Sequence, residues 1–210
     1  MFRWLKFGII GIYFLFLSNN SFALIDVQAL VGSDSGTISG GNAFANGGKT
    51  SGTVMGVAVH LDPIPLVPVG FGIGIGAPTL KSEDSGIDET YTGFFVDLEV
   101  MAWTPIGFFG ITPYAKLGYR AYGLYEMKNS KANIGGTIQE IKIPLETSGT
   151  KFAVGARYSL LPLIGLLLEV SSQKEELKVK SVEVNGVDLS LPGSLDRSAT
   201  SIMLGVEVGI

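Results

Sequence analysis

Few side chains in this sequence have the types and spacing that chemistry requires. His60 is the only histidine and cysteine is absent, so a multi-histidine metal cluster, a thiolate metal site and a disulfide are excluded. A histidine-based hydrolase would need a serine nucleophile and a carboxylate nearby. Asp62 is near His60 in the chain, but it lies in a proline-rich turn that no serine flanks. We therefore expect no catalytic residue and no enzyme activity, and a lipid-directed esterase or deacylase is the least favoured alternative.

Two further patterns resemble ligand sites but lack the required spacing. Glycine occupies every second position of residues 70–76, which differs from the Gly-x-Gly-x-x-Gly of a phosphate loop, and no helical pattern follows Pro78. The stretch 83–89 contains four acids, whose oxygens suit Ca²⁺. Their order matches no EF-hand loop. We predict a solvated acidic loop, with no bound metal and no cofactor.

The glycine pattern indicates a β-strand instead. In Val69–Ala77 every odd position is apolar and every even position from 70 to 76 is glycine. A period of two residues is the side-chain period of a strand. Such a strand has one apolar face and one face without side chains, which favours the wall of a barrel. We expect a large side chain at Gly72 or Gly74 to overpack the interior.

Seven other segments alternate with the same period, and we predict an all-β protein with eight antiparallel strands. The eight predicted strands comprise Ile25–Val31, Thr53–Leu61, Val69–Ala77, Tyr91–Trp103, Ile111–Tyr125, Thr150–Leu160, a strand that begins at Leu166, and a last strand that ends at Ile210. Long predicted loops (32–52, 78–90 and 126–149) alternate with short proline-containing turns (62–68, 104–110 and 161–165). Asn185-Gly186 lies between two short alternating runs and predicts a hairpin over residues 182–189.

The composition indicates that this barrel spans a membrane. Only 16% of the 210 residues are charged, yet beyond residue 23 no apolar run is long enough for a spanning helix. A closed barrel is the physical alternative, because only closure pairs every backbone group in lipid. The net charge of −4 argues against a nucleic-acid partner. Residues 1–23 combine Arg3 and Lys6, an apolar core and Ser21-Phe22-Ala23, which predicts a cleaved signal peptide before a single domain over 24–210.

The polar faces of the predicted strands decide which face points inward. A soluble lipocalin-like barrel would place the apolar face inside. The charges here are sparse and separated by Gly, Ala and Ser, which suits a crowded lumen better than a solvated exterior. We predict a lumen filled by an ion-pair network of Asp97, Glu99, Lys116, Arg120, Arg157, Glu169 and Glu207. An ion-selective constriction is the alternative.

A signal peptide, eight alternating segments with an amphipathic final strand, and alternating loop lengths together resemble the small OmpA/OmpX-type barrels of bacterial outer membranes. The chain departs from that pattern in ending with Ile210 rather than an aromatic residue. The resemblance implies an outer-membrane location, contact with lipid and lipopolysaccharide, and possible extracellular partners at the loops. It implies no single function. We expect a monomer with a structural or surface-interaction role, and a narrow channel for ions or small solutes is the alternative.

Overall fold

A computed structural model describes residues 25–40, 48–62, 67–82, 89–104, 109–134, 137–184, 187–189 and 193–210. The predicted signal peptide, the Asn185-Gly186 turn and all but Glu89 of the acidic stretch 83–89 lie outside the described residues. In the described part of the chain, no helix is long and apolar enough to cross a membrane.

The described residues form ten strands. These are β1 Ile25–Ser39, β2 Gly48–Leu61, β3 Val69–Ser82, β4 Glu89–Trp103, β5 Ile111–Ile134, β6 Thr137–Leu161, β7 Ile164–Val179, β8 Val182–Val184, β9 Val187–Leu189 and β10 Gly193–Gly209. Strands β1 to β7 and β10 build the barrel, each antiparallel to its neighbours. Strands β8 and β9 form a small hairpin beside β6.

Closure of the barrel depends on β1 and β10. Their pairing runs without a break from Asp26 opposite Gly209 to Ser39 opposite Asp196. Ile25 and Ile210 exchange two further backbone hydrogen bonds of 3.2 and 2.8 Å. The sheet therefore has no open edge among the eight barrel strands, and the predicted fold class, an eight-stranded up-and-down barrel, is confirmed.

The apolar face of the barrel strands points outward. Met55 on β2 and Leu204 on β10 are 60% and 62% exposed, and every barrel strand contributes large apolar side chains to the same belt. An exposed apolar belt of this extent cannot face water and is the lipid-contacting surface of a membrane barrel. The predicted orientation, with apolar residues outside and polar residues inside, holds within this belt, and the lipocalin-like alternative does not.

The two faces exchange their character at the end of the barrel that lies opposite Ile25 and Ile210. Outward positions there are mostly Ser, Thr and Lys. The inward positions form an apolar core of Ile38, Leu80, Tyr91, Tyr125, Met127, Ile141, Ile143, Leu145, Leu177, Val179 and Leu195. We call this far part of the barrel the outer extension. It has the apolar interior and polar exterior of a water-soluble barrel, although it is built from the same strands as the membrane belt.

The outer extension corrects the predicted long loops. Strands β1 and β2 continue into 32–52, β3 and β4 continue into 78–90, and β5 pairs with β6 throughout most of 126–149. The barrel strands have 14 to 25 residues, longer than the roughly 9–11 that cross a bilayer. The prediction of loops was wrong because the alternation continues in Ser, Thr and Gly, whose weak hydropathy contrast hides the period of two.

Two local irregularities also depart from the predicted pattern. The pairing of β5 with β6 shifts between Arg120 and Leu124, and Ala121 and Tyr122 are both exposed. The alternation that places Lys116 and Arg120 inward predicts Tyr122 inward and Tyr125 outward, but the bulge reverses both, so Tyr122 is exposed and Tyr125 is buried. The predicted hairpin over 182–189 is present as β8 and β9, which continue the ladders that β7 forms with β6 and β10 after a register shift of one residue.

The glycine face of β3 provides space for inward side chains of other strands, but its glycines are not equivalent. A Cβ atom at Gly72 would overlap the His60 ring and lie 2.6 Å from the carbonyl oxygen of Val59. A Cβ atom at Gly74 would meet only Glu99 Oε1 at 3.4 Å and neighbouring atoms at ordinary contact distance. Gly74 also lines an interior cavity of about 40 Å³ together with Gly56 and other residues.

This difference yields a matched pair of variants. We expect Gly72→Ala to lower the free energy of unfolding by about 1–3 kcal/mol, because His60 must move against backbone. We expect Gly74→Ala to leave stability unchanged or to raise it by up to about 1 kcal/mol, because alanine suits a strand better than glycine. Urea unfolding in lipid vesicles, followed by tryptophan fluorescence, measures both. Equal effects of the two variants would contradict this packing.

Candidate functional site

The lumen inside the membrane belt is filled by polar side chains. It contains all seven residues of the predicted network, which are contributed by five of the barrel strands: Asp97, Glu99, Lys116, Arg120, Arg157, Glu169 and Glu207. Six of them are buried, and the side chain of Arg157 is 21% exposed near the end of the barrel where Ile25 and Ile210 lie. The alternation of each strand directs these side chains inward.

Lys116 lies at the centre of the lower lumen, by which we mean the half of the lumen nearer to Ile25 and Ile210. Its Nζ atom donates hydrogen bonds to Glu169 Oε2 at 2.8 Å and to Gln28 Oε1 at 2.7 Å, and it lies 3.9 Å from Glu99 Oε2. Tyr114 adds a donor, since its hydroxyl lies 3.2 Å from Glu169 Oε2. The ammonium group is thus surrounded by acceptors from three other strands, which compensates for its removal from water.

Glu99 connects two further strands to this group. One carboxylate oxygen accepts a hydrogen bond from Lys151 Nζ at 2.5 Å, and the other lies 3.0 Å from His60 Nε2. Lys151 Nζ is also 3.9 Å from Asp97 Oδ2 and 4.0 Å from Glu169 Oε1. His60 is completely buried and faces this carboxylate across the glycine face of β3. The only histidine of the sequence is therefore part of the network.

At the end of the lumen near Ile25 and Ile210, Glu207 joins the network to its last cation. Arg157 Nη1 donates to Glu207 Oε1 at 2.5 Å, and Gln28 Nε2 donates to Glu207 Oε2 at 2.9 Å. Since Gln28 also accepts from Lys116, its amide links the contacts of one cation to those of the next. Asp26 is buried beside this group.

Arg120 is the centre of the outer part of the lumen. Its guanidinium donates to both oxygens of Asp97 at 2.9 and 3.3 Å and pairs with Glu175. It also donates to the Tyr125 hydroxyl at 2.8 Å and stacks on the Phe95 ring, 3.5 Å from the ring centroid. Two carboxylates and an aromatic face therefore share one cation, a geometry that the planar guanidinium permits and an ammonium does not.

A third arginine, which the sequence prediction omitted, extends the network to the outer extension. Arg197 pairs with Asp34 and lies 3.4 Å from Glu175. Asp34 in turn accepts hydrogen bonds from Ser201 at 2.8 Å and Gln173 at 2.9 Å. The contacts thus run without a gap from Arg157 at one end of the lumen to Asp34 at the other.

The prediction omitted Lys151 as well as Asp34, Glu175 and Arg197, although a signal for each was present. All four lie at inward positions of their strands. Lys151 alternates with the inward Ala153, and Glu175 has the same alternation as the inward Glu169. Lys151 lies inside the predicted strand Thr150–Leu160, and extending the period of two past the apolar stretches would have found the other three. Among the described residues, no cluster of three or more His, Asp or Glu side chains is arranged to hold a metal ion.

Comparison with known proteins identifies the fold. No protein-family model matches the chain, and no curated protein matches it. Among solved structures, it is similar to a major outer membrane protein from Thermus thermophilus, with a TM-score of 0.54 and 16% identity over 88% of this chain and 99% of the other. It is also similar to the translocator domain of the autotransporter NalP from Neisseria meningitidis, with a TM-score of 0.51 and 11% identity over 97% of this chain and 95% of the other.

Identities this low establish the fold and nothing finer. Together with the closed eight-stranded topology and the exposed apolar belt, these structural matches confirm the predicted resemblance to small outer-membrane barrels. The chain is a β-barrel of the bacterial outer-membrane type.

The contacts of Arg120 predict that removing this buried cation lowers the stability of the barrel far more than removing an exposed one. Arg120→Met keeps much of the side-chain volume but leaves Asp97 and Glu175 without their shared cation. We expect the free energy of unfolding to fall by about 3–5 kcal/mol. The control is Lys128→Met, because Lys128 forms an exposed pair of 3.0 Å with Glu126. An exposed pair of this kind contributes at most about 1 kcal/mol.

Unfolding in lipid vesicles, followed by the fluorescence of Trp103, measures both variants. Trp103 is a suitable reporter because it packs against the apolar residues of the lower lumen. A loss of stability in Arg120→Met no larger than that in Lys128→Met would show that the network contributes little to folding.

Proposed function

We propose that this protein is a closed, non-enzymatic barrel of the bacterial outer membrane that holds its outer extension at the cell surface for structural or surface-interaction purposes. The observation that carries the proposal is the continuity of the polar network across the described lumen. The lumen cations from Arg157 to Arg197 are each held by carboxylates of other strands, so they form no row of free charges for a passing ion to bind.

The outer extension supports the same proposal with a second seal. Its apolar core lies directly above the Arg120 and Arg197 pairs, and Tyr125 joins the two layers, since its hydroxyl accepts from Arg120 while its ring is buried in the core. Apolar constrictions exclude ions by excluding water. The cavity of about 40 Å³ beside Gly74 has room for a few water molecules, which is too little for a hydrated column through the barrel.

Conductance of the purified protein tests closure. We expect planar bilayers that contain the refolded protein to show no large, steady unitary current at either polarity, because two layers of side chains block the lumen. Heat-modifiable gel mobility of the same sample establishes that the barrel is folded, and a porin in the same bilayer verifies the recording. Steady currents whose ion selectivity changes in Arg120→Met would instead support the channel alternative.

A second experiment tests whether the outer extension is separable from the membrane barrel. Residues 130–140 are replaced by Asn-Gly, a two-residue turn that suits a tight antiparallel connection near Lys128 and Lys142, which are opposite each other on β5 and β6. We expect the shortened protein to keep its compact gel mobility, because the lumen network and the lipid belt lie below this segment. The matched control replaces the same number of residues, 112–122, inside the belt and should abolish the compact form.

If the 130–140 variant also fails to fold, the far end of the ribbon is part of the folding unit of the barrel. The proposal of a surface-presenting extension on an independent barrel would then be wrong. If the variant folds, it also becomes the reagent for measuring which surface interactions depend on the removed segment.

A further inference from the structure

The outer wall of the barrel has a polar groove just above the apolar belt. It has a volume of about 450 Å³ and is formed by residues of β1, β2, β7 and β10. Its floor consists of short hydroxyl side chains, which we call the hydroxyl patch: Ser35, Thr37, Ser172, Ser198 and Thr200.

Lysines border the hydroxyl patch on both sides. One row of opposed residues runs from Lys49 through Thr37 and Ser198 to Lys174, one residue on each of four adjacent strands. Three strand spacings separate the two lysines, about 14 Å along the wall. On the next strand, Lys81 is opposite Ser51 and adds a third ammonium group to the side of Lys49.

The three lysines are available to an outside ligand. All three are exposed, and no acidic side chain within the described ranges forms an ion pair with any of them. Among the described residues of these strands, the nearest outward acids are Asp196 and Glu176, which are opposite each other two residues further from the belt. Glu176 lies 3.6 Å from Lys178, so it already has a cation of its own.

The height of the groove relative to the belt indicates what kind of ligand reaches it. Ile202 and Val170, which belong to the exposed apolar belt, are each two residues from Thr200 and Ser172 along the same strands. Two residues of a strand span about 7 Å. A lipid whose acyl chains lie on the belt therefore has its head group against the hydroxyl patch and between the lysines.

We propose that the hydroxyl patch and Lys49, Lys81 and Lys174 bind the phosphorylated sugar head group of lipopolysaccharide. Phosphates pair with the ammonium groups, and the sugar hydroxyls exchange hydrogen bonds with the serine and threonine hydroxyls. Lysines on opposite sides of the patch require a head group with more than one separated anion, which a phosphorylated disaccharide offers and a phospholipid with a single phosphate does not. This inference rests on the proposed outer-membrane location.

Binding of purified lipopolysaccharide to the full barrel in detergent tests the inference. Titrations followed by native mass spectrometry compare the wild type with the triple variant Lys49→Gln/Lys81→Gln/Lys174→Gln. EDTA is present, so that divalent ions cannot bridge the lipid to Asp196 and Glu176. We expect affinity to fall about 100-fold, since each lysine near an anionic lipid surface contributes about one kcal/mol.

The control is Lys128→Gln/Lys178→Gln/Lys180→Gln, which removes the same charge from exposed lysines that already have carboxylate partners. We expect this control to bind like the wild type. Inorganic phosphate and phosphatidylglycerol serve as competitors and should displace lipopolysaccharide only weakly. Equal affinity of the two triple variants, or equally effective competition by phosphatidylglycerol, would overturn the inference.

The two proposals fail in different ways. Heat-modifiable mobility and conductance are measured on the same preparations before the titration. Steady conductance would refute the closed-barrel proposal without affecting lipid binding, whereas a folded, silent barrel that binds no lipopolysaccharide would refute only the lipid site.

Discussion

The pairing of β1 with β10 is the constraint on which the rest of the structure depends. In lipid, an unpaired backbone group costs several kcal/mol, so a membrane sheet must close on itself. Ile25 and Ile210 complete the ladder with mutual backbone hydrogen bonds, and the ladder continues through Ser39. Closure with eight strands fixes the width of the lumen at a value that side chains just fill. The charges that face inward have little water around them, and each needs a partner on a neighbouring strand or across the barrel.

The network shows how that requirement is met. Lys116 on β5 and Glu169 on β7 are separated by β6, so their contact forms only when the sheet curves into a barrel, while Glu99 lies on the neighbouring strand β4. Arg197 pairs with Asp34 across the β1–β10 seam, a contact that also needs closure, whereas Glu175 is its direct neighbour on β7. The charges therefore do not drive closure by themselves. They make incomplete or misregistered barrels costly, because a shift of one residue would turn the charges at the height of the belt toward lipid.

Period-two alternation predicted the fold class, the direction of the membrane strands and the inward position of seven charged residues, because lipid makes the apolar face unambiguous. It failed where the outside is water. There many outward residues are Ser and Thr, and the period of two continues without a strong contrast in hydropathy. The predicted strands were therefore shorter than the observed β1 and β2. Alternation also could not predict the bulge after Arg120, which reverses Tyr122 and Tyr125. Nor could it assign partners, because the distance between Arg120 and Glu175 depends on the stagger of all the strands between them.

The exchange of faces along single strands has a consequence for what the cell surface meets. On β10, Ile202 contacts lipid while Thr200 and Ser198, on the same face, lie above the apolar belt. The inward face changes in the opposite sense, from Glu207 through Arg197 to Leu195. Arg197 lies at this change, paired on one side and next to the apolar core on the other. The outward and inward faces therefore change their character at the same position along the strand, which is the outer boundary of the apolar belt. What projects outward is a hydrogen-bonded wall with its own core, and a partner would dock on strand surfaces whose positions the barrel itself holds.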